Sequence, residues 1–152
     1  MIIQSTRFGE LEVIEEQIIS FPHGIPGFLD EKAFVHLPHT EDSPFYFLQS
    51  ITEPNLSFLL VDPFAFLSDY EFNLEDELAD ELRIASTSAI QVFLVATVKE
   101  KVADMTVNLQ APLVINKNQR LGIQLILDNP KYSIRHRLFE NATTTGSSEG
   151  GR

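Results

Sequence analysis

The sequence predicts a mainly β domain with mostly antiparallel strands and one short helix. Short apolar runs rich in Val, Ile, Phe and Tyr recur along the chain, separated by Pro, Gly, Asn and Asp. Pleated, half-buried strands prefer that composition. The connections between runs are too short for repeated helical crossovers, so neighbouring strands pair antiparallel. Only one stretch repeats its apolar residues at helical spacing.

The candidate strands, in order, are Ile2–Gln4, Gly9–Ile14, Ile18–Phe21, Phe34–Leu37, Phe45–Ile51, Ser57–Val61, Ile90–Val98, Thr106–Leu109, Leu113–Asn116 and Gly122–Leu127. Gly9–Ile14 alternates, with Leu11 and Val13 on one face and Glu10 and Glu12 on the other. It reads as a strand with one wet face. The run Gln91–Val98 is almost wholly apolar, as expected of a central strand buried on both faces. Gly24 and Gly27, with Pro26 between them, mark a fixed turn. The helix spans Asn73–Arg83, where Leu74, Leu78 and Leu82 form one stripe. Asn73 is its expected N-cap. Glu75, Asp76 and Glu77 sit near the positive end of the helix dipole and Arg83 near the negative end. This acidic run has two readings, a solvated helix face or a binding surface.

At 152 residues with 43% apolar content and twelve Phe, one domain with a real core is expected. It spans residues 1–140, and the polar stretch 141–152 is expected to be a disordered tail. Without Cys there is no disulfide and no thiolate chemistry. The N-terminus lacks a basic-then-apolar leader, and no apolar run approaches the ~20 residues that span a bilayer. A soluble, cytoplasmic protein with no membrane contact is expected.

Charge is distributed unevenly. Residues 1–82 hold 17 of the 22 acidic residues and only Arg7 and Lys32 as bases, a local charge of −15. Residues 83–152 carry +4. Nucleic-acid affinity comes largely from Lys and Arg displacing counterions, so the acidic half excludes a direct grip on RNA or DNA. Phe45, Tyr46 and Phe47 cluster without interleaved bases, unlike a base-stacking platform. Arg120, Lys131, Arg135 and Arg137 form a modest basic zone, read as charge balance for the acidic half with nucleic-acid binding as the alternative.

Catalytic patterns are missing. No Gly-x-Ser-x-Gly elbow, Lys-containing phosphate loop or Gly-x-Gly-x-x-Gly follows a strand. His36 and His39 are three apart, but they lie on a strand ended by Pro38, so spacing alone does not make them face one ligand. With Glu41 and Asp42 they read as a polar loop rather than a metal site. His136, between two arginines, reads as a surface or partner contact. No cofactor or metal is expected.

Several segments together resemble the FliW family of flagellar assembly factors. They are Phe8-Gly-Glu10, Ile19-Ser-Phe-Pro-His-Gly-Ile-Pro-Gly-Phe28 and Pro44-Phe-Tyr-Phe-Leu-Gln-Ser50. Val61-Asp-Pro63 with Tyr70, and Val107-Asn-Leu-Gln-Ala-Pro-Leu-Val-Ile-Asn116, complete the set. Their order covers residues 1 to about 139. The resemblance implies a small antiparallel, barrel-like fold and no catalysis. It implies binding to flagellin and, when flagellin is absent, to the RNA-binding translational regulator CsrA, relieving repression of flagellin translation. It also implies amphipathic helical flagellin ends, which suit an apolar groove. The partner-binding candidates are Phe45, Tyr46, Phe47 and Phe64 for apolar contact, Glu71, Glu75, Asp76 and Glu77 for charge, and Asn108 and Pro112 at a strand bend. Each Phe has core packing as its alternative, and Asn108 and Pro112 have a folding turn as theirs. The chain is expected to be a monomer when free. A small β-barrel hydrolase using surface carboxylates, and a β-module without a regulatory role, are the competing readings.

Overall fold

The computed structural model describes residues 1–85, 90–98 and 100–139. The expected polar tail, residues 141–152, lies outside the described residues. The strands are β1 (Ile2–Ser5), β2 (Gly9–Glu12), β3 (Ile18–Ser20), β4 (Ala33–Pro38), β5 (Phe45–Ser50) and β6 (Ser57–Val61). They continue as β7 (Ile90–Thr97), β8 (Thr106–Val107), β9 (Leu113–Asn116), β10 (Leu121–Gln124) and β11 (His136–Arg137), with one helix, α1 (Asp76–Glu81).

Seven strands close a barrel in the order β7-β6-β5-β4-β3-β10-β9, with β9 pairing back onto β7. Every barrel pairing is antiparallel except β3–β10. That parallel contact pairs Leu121 with Ser20, and the Ser20 N–H donates to the Arg120 carbonyl at 2.9 Å. Closure leaves no barrel edge open to pair with another chain. β8 and β11 extend the sheet outward from β7, and β1–β2 form a separate hairpin.

Alternation along the strands sends one set of side chains inward. Ile19, Phe21, Phe34, Leu48, Leu60, Phe93, Leu113 and Ile115 fill the barrel. The outward faces are covered in three places. The β1–β2 hairpin lays Ile3 and Val13 on Val35. The Leu74, Leu78 and Leu82 stripe lies on Val114 and Leu125. Tyr70, Phe66, Tyr132 and Leu138 pack on Val61, Leu94 and Ala96. The alternation expected for Gly9–Ile14 holds, since Val13 is buried while Glu10 and Glu12 are exposed. β7 is covered on both faces, as its apolar run predicts.

Three local expectations are corrected. The helix is shorter than Asn73–Arg83 and begins at Asp76, with Glu75 rather than Asn73 at the N-cap and no side-chain cap bond. Arg83 lies beyond the helix at φ 56°, the left-handed position more often filled by Gly. Its N–H donates to the Asp80 carbonyl at 3.0 Å, ending the last turn. β11 had no sequence signal, because a two-residue strand is too short to show alternation. The turn after β3 does read correctly: Gly24 has φ 69°, and a Cβ there would lie 2.6 Å from the Leu29 carbonyl oxygen.

Inside the barrel Gly122 lies close against the Phe21 ring, which a Cβ on Gly122 would meet at 2.7 Å. Phe21 is fully buried and edge-on to Phe34 at 5.6 Å, so it has little room to yield. Gly122→Ala should therefore lower the unfolding free energy by roughly 1–3 kcal/mol in denaturant titration. Adding Phe21→Leu should restore part of that loss, whereas strict additivity of the two losses would show that the ring contact is not the cause.

Candidate functional site

Acidic side chains gather on the segment from Glu71 to Glu81. Glu71, Glu75, Asp76, Glu77, Asp80 and Glu81 are all exposed. Among the described residues the ion pairs are Arg120–Glu15 and Arg137–Asp104, and His23 Nε2 lies 3.2 Å from the Glu81 carboxylate. Only Glu81 of the six acids is thus partnered.

Buried groups hold both ends of this segment. The Tyr132 hydroxyl donates to the Glu71 carbonyl at 2.8 Å and accepts from the Glu71 N–H at 3.0 Å. At the other end, Asn116, fully buried in β9, donates from Nδ2 to the Leu82 carbonyl at 2.7 Å and the Arg83 carbonyl at 3.3 Å. Two otherwise free carbonyls at the helix end are thereby satisfied from the barrel. The leucine stripe anchors the middle. The acids therefore project from a fixed strap on the barrel wall. Neither Asn116 nor Tyr132 was legible as a clamp, since each lies more than thirty residues from its partner in the chain.

The apolar candidates separate from one another. Phe45 packs in the outer cluster against Phe66, with ring centroids 5.9 Å apart. Tyr46 points into the barrel, stacked on His36 at 4.8 Å. Phe47 is only 9% exposed, against the Phe8 ring at 5.1 Å and beneath the Arg7 guanidinium at 5.0 Å. These three are packing residues in the free chain. Phe64 is 55% exposed beside Tyr70 and stays available for contact.

Asn108 and Pro112 bracket a bulge. Phe93 pairs with Leu113 and Ala96 with Val107, so β7 advances three residues while the opposing chain advances six. The surplus residues loop out as Asn108–Pro112. The Gln110 N–H donates to Asn108 Oδ1 at 3.0 Å, and the Tyr70 hydroxyl donates to the Leu109 carbonyl at 2.7 Å. Burial and the adjacent Tyr132 raise the Tyr70 pKa above its ordinary value, so the hydroxyl stays a donor. Pro112 is buried and Asn108 half-buried. Pro112 is thus scaffold, while Asn108 both shapes the bulge and lines a groove.

That groove, of about 650 Å³, opens where β8 and β11 leave the barrel. Ile25, Phe58, Val95 and Val107 supply apolar surface, with Asn108, Gln124 and Ile134 also in the lining. It escaped sequence reading because its walls come from five separate stretches of the chain. The isolated apolar Ile134 in a polar segment is the one signal that could have indicated it.

The basic zone partly disperses into ion pairs, Arg120 to Glu15 at 3.6 Å and Arg137 to Asp104 at 3.1 Å. Lys131 sits 5.9 Å over the Tyr132 ring, and Arg135 lines the groove. His36 and His39 do not form a metal pair: His36 packs among Tyr46 and Phe93 in the barrel and His39 beside Phe47. Among the described residues no cluster of three or more His, Asp or Glu is arranged to hold a metal. Hydroxyl donors from Ser50 and Thr52 lower the Glu31 pKa, the opposite of what a general acid needs. Among the described residues no helix is long and apolar enough to cross a membrane.

Burial, and secondarily the Lys117 charge, lower the His36 pKa from 6.5 to about 4. Its Nε2 is buried without a hydrogen-bond partner. The unfolded chain takes up this proton near pH 6.5 and the folded chain only near 4. Stability is therefore full above 6.5 and falls as pH drops toward 4, by about 2 kcal/mol at pH 5. His36→Phe should remove that component, read as the difference between unfolding free energies at pH 7 and pH 5. Parallel pH dependence in the two proteins would exclude His36 as its source.

Comparison with known proteins covers nearly the whole chain. The profile described as "FliW protein" matches residues 2–138. A "Flagellar assembly factor FliW" from Desulfitobacterium hafniense (strain DSM 10664 / DCB-2) is 64% identical over 151 residues, 99% of each chain. One from Geobacillus sp. (strain WCH70) is 45% identical over 139 residues, covering 91% of this chain and 96% of that one. A crystal structure of the flagellar assembly factor FliW superposes with a TM-score of 0.84 at 42% identity, covering 93% of this chain and 99% of that chain. The barrel is common to both structures, and the chain belongs to the FliW family.

Proposed function

We propose that this chain is a cytoplasmic, non-enzymatic flagellar assembly factor. It holds flagellin, and when flagellin is exported it binds the RNA-binding regulator CsrA and relieves repression of flagellin translation. Full-length similarity to proteins named as flagellar assembly factors supports the flagellar role. The observation that carries the CsrA branch is the fixed acidic strap.

A basic RNA-binding protein is attracted to such a surface, and phosphate is repelled by it. Docked beside the RNA path of CsrA, the strap opposes an incoming phosphate chain without filling the base-binding site. Screening limits this effect to about 8 Å at physiological salt. The strap suits that limit because both its ends are tied, so its charges do not drift from the docked surface. A loose acidic arm would spend ordering entropy on each encounter.

Replacing Glu71, Glu75, Asp76 and Glu77 together by Gln or Asn should leave the fold intact, since all four are exposed. Displacement of RNA from CsrA should weaken on the order of tenfold, at about 0.3–0.4 kcal/mol per charge near a screened surface. The measurement is competition of labelled RNA against a titration of this chain. Undiminished displacement by the fourfold variant sinks the electrostatic account.

A further inference from the structure

The two partners in the proposed function call for different chemistry, and the chain presents two separate surfaces. The strap carries five acids without an ion-pair partner among the described residues. The groove is close to neutral. Of its charged lining residues, Asp104 is neutralised by Arg137 at 3.1 Å, leaving Glu100 against Arg135. No residue of the strap lines it.

Several exposed apolar side chains lie in this groove or next to its lining. Ile134, in its lining, is 58% exposed. Phe28 is 44% exposed and contacts the lining Phe58 edge-on at 5.5 Å. Val98 is exposed and follows the lining residue Thr97, and the exposed Val102 lies midway between the lining residues Glu100 and Asp104 in the chain. Large apolar side chains left in water around a concavity mark a docking site. A basic partner gains nothing from a neutral lining, whereas an amphipathic segment buries its apolar face there and sets one acid and one base against Arg135 and Glu100.

We infer that the groove between the Pro22–Phe28 turn and the β8–β11 extension binds an amphipathic helical segment of flagellin, apart from the acidic strap that meets CsrA. This rests on the proposed function. It adds that the two partners use surfaces separable by substitution. The bulge Asn108–Pro112 lies between them, with Asn108 in the groove and Leu109 bonded to Tyr70 next to the start of the strap.

The test uses the full chain with purified monomeric flagellin and purified CsrA. Ile134→Lys and Thr97→Lys change exposed positions and leave the core untouched. Each should weaken flagellin binding tenfold or more, as a substitution at an anchoring contact does, with CsrA affinity within about twofold of the parent. The strap variant, with four acids neutralised, should show the reverse order. Undiminished flagellin binding by both Lys variants overturns the inference. So does loss of both partners by a Lys variant that melts at the parent temperature, because the surfaces then overlap. If the parent chain is a dimer that Ile134→Lys splits, the occupant is a second copy and the inference is equally overturned. A parent chain that binds neither partner overturns the proposed function, and this inference with it.

Discussion

Strand β7 has to satisfy three neighbours at once. One edge runs along β6, and the other takes β9 over its first half and β8 over its last two residues. The barrel closes only because β9 returns to β7, and the sheet extends outward only because β8 takes the edge where β9 has left it. The surplus residues between these pairings must go somewhere, and they form the bulge at Asn108–Pro112. Backbone groups in that bulge would be costly if left unpaired. They bond instead to Tyr70, to Asn108, and to the chain around Ser133 and Leu127. The bulge thus draws the second outer layer, and with it Tyr132 and the start of the acidic strap, onto the barrel.

The barrel interior is filled by large rings, which require a few small neighbours. Gly122 faces Phe21, and Gly24 lets the turn after β3 fold back on Leu29. Polar groups are admitted sparingly. Gln49 is fully buried, with the Ser5 hydroxyl at 2.8 Å and the Ser50 carbonyl at 3.1 Å from its amide, which ties the N-terminal hairpin to β5. His36 is accommodated by ring stacking in its neutral form. Gln49 helps to select one register, because a slip by one residue would leave its buried amide without these partners.

The acidic strap combines a buried apolar face and an exposed charged face in one element. Its leucines are buried and its acids are exposed, as an amphipathic segment on a barrel wall should be. A six-residue helix is too short to persist alone in water. Tertiary anchoring supplies what length does not: Asn116 at one end, Tyr132 at the other, and Val114 and Leu125 beneath. Concentrated like charge disfavours the strap itself, and those anchors offset the repulsion.

Periodicity and composition alone determined the strand pattern. Ser57–Val61 and Leu113–Asn116 are the strands expected, the other expected strands differ by a few residues at their ends, and β11 alone went unread among the described strands. The Leu74, Leu78 and Leu82 stripe marked the helix, though not its start, because Asn73 meets the rule for a cap without making the bond. The uneven charge was equally plain. The site was less so. Phe45, Tyr46 and Phe47 look alike in a list of residues, yet one packs outside the barrel, one inside and one under the hairpin. Facing is set by pairing partners, and period-two alternation does not say which face is inside a closed sheet. Only the tertiary structure joined Ile25, Phe58, Asn108 and Ile134 into one groove and Tyr132 and Asn116 into one clamp. Those groupings depend on contacts between distant parts of the chain, which local propensity does not encode, whereas strands and charge depend on neighbours in sequence.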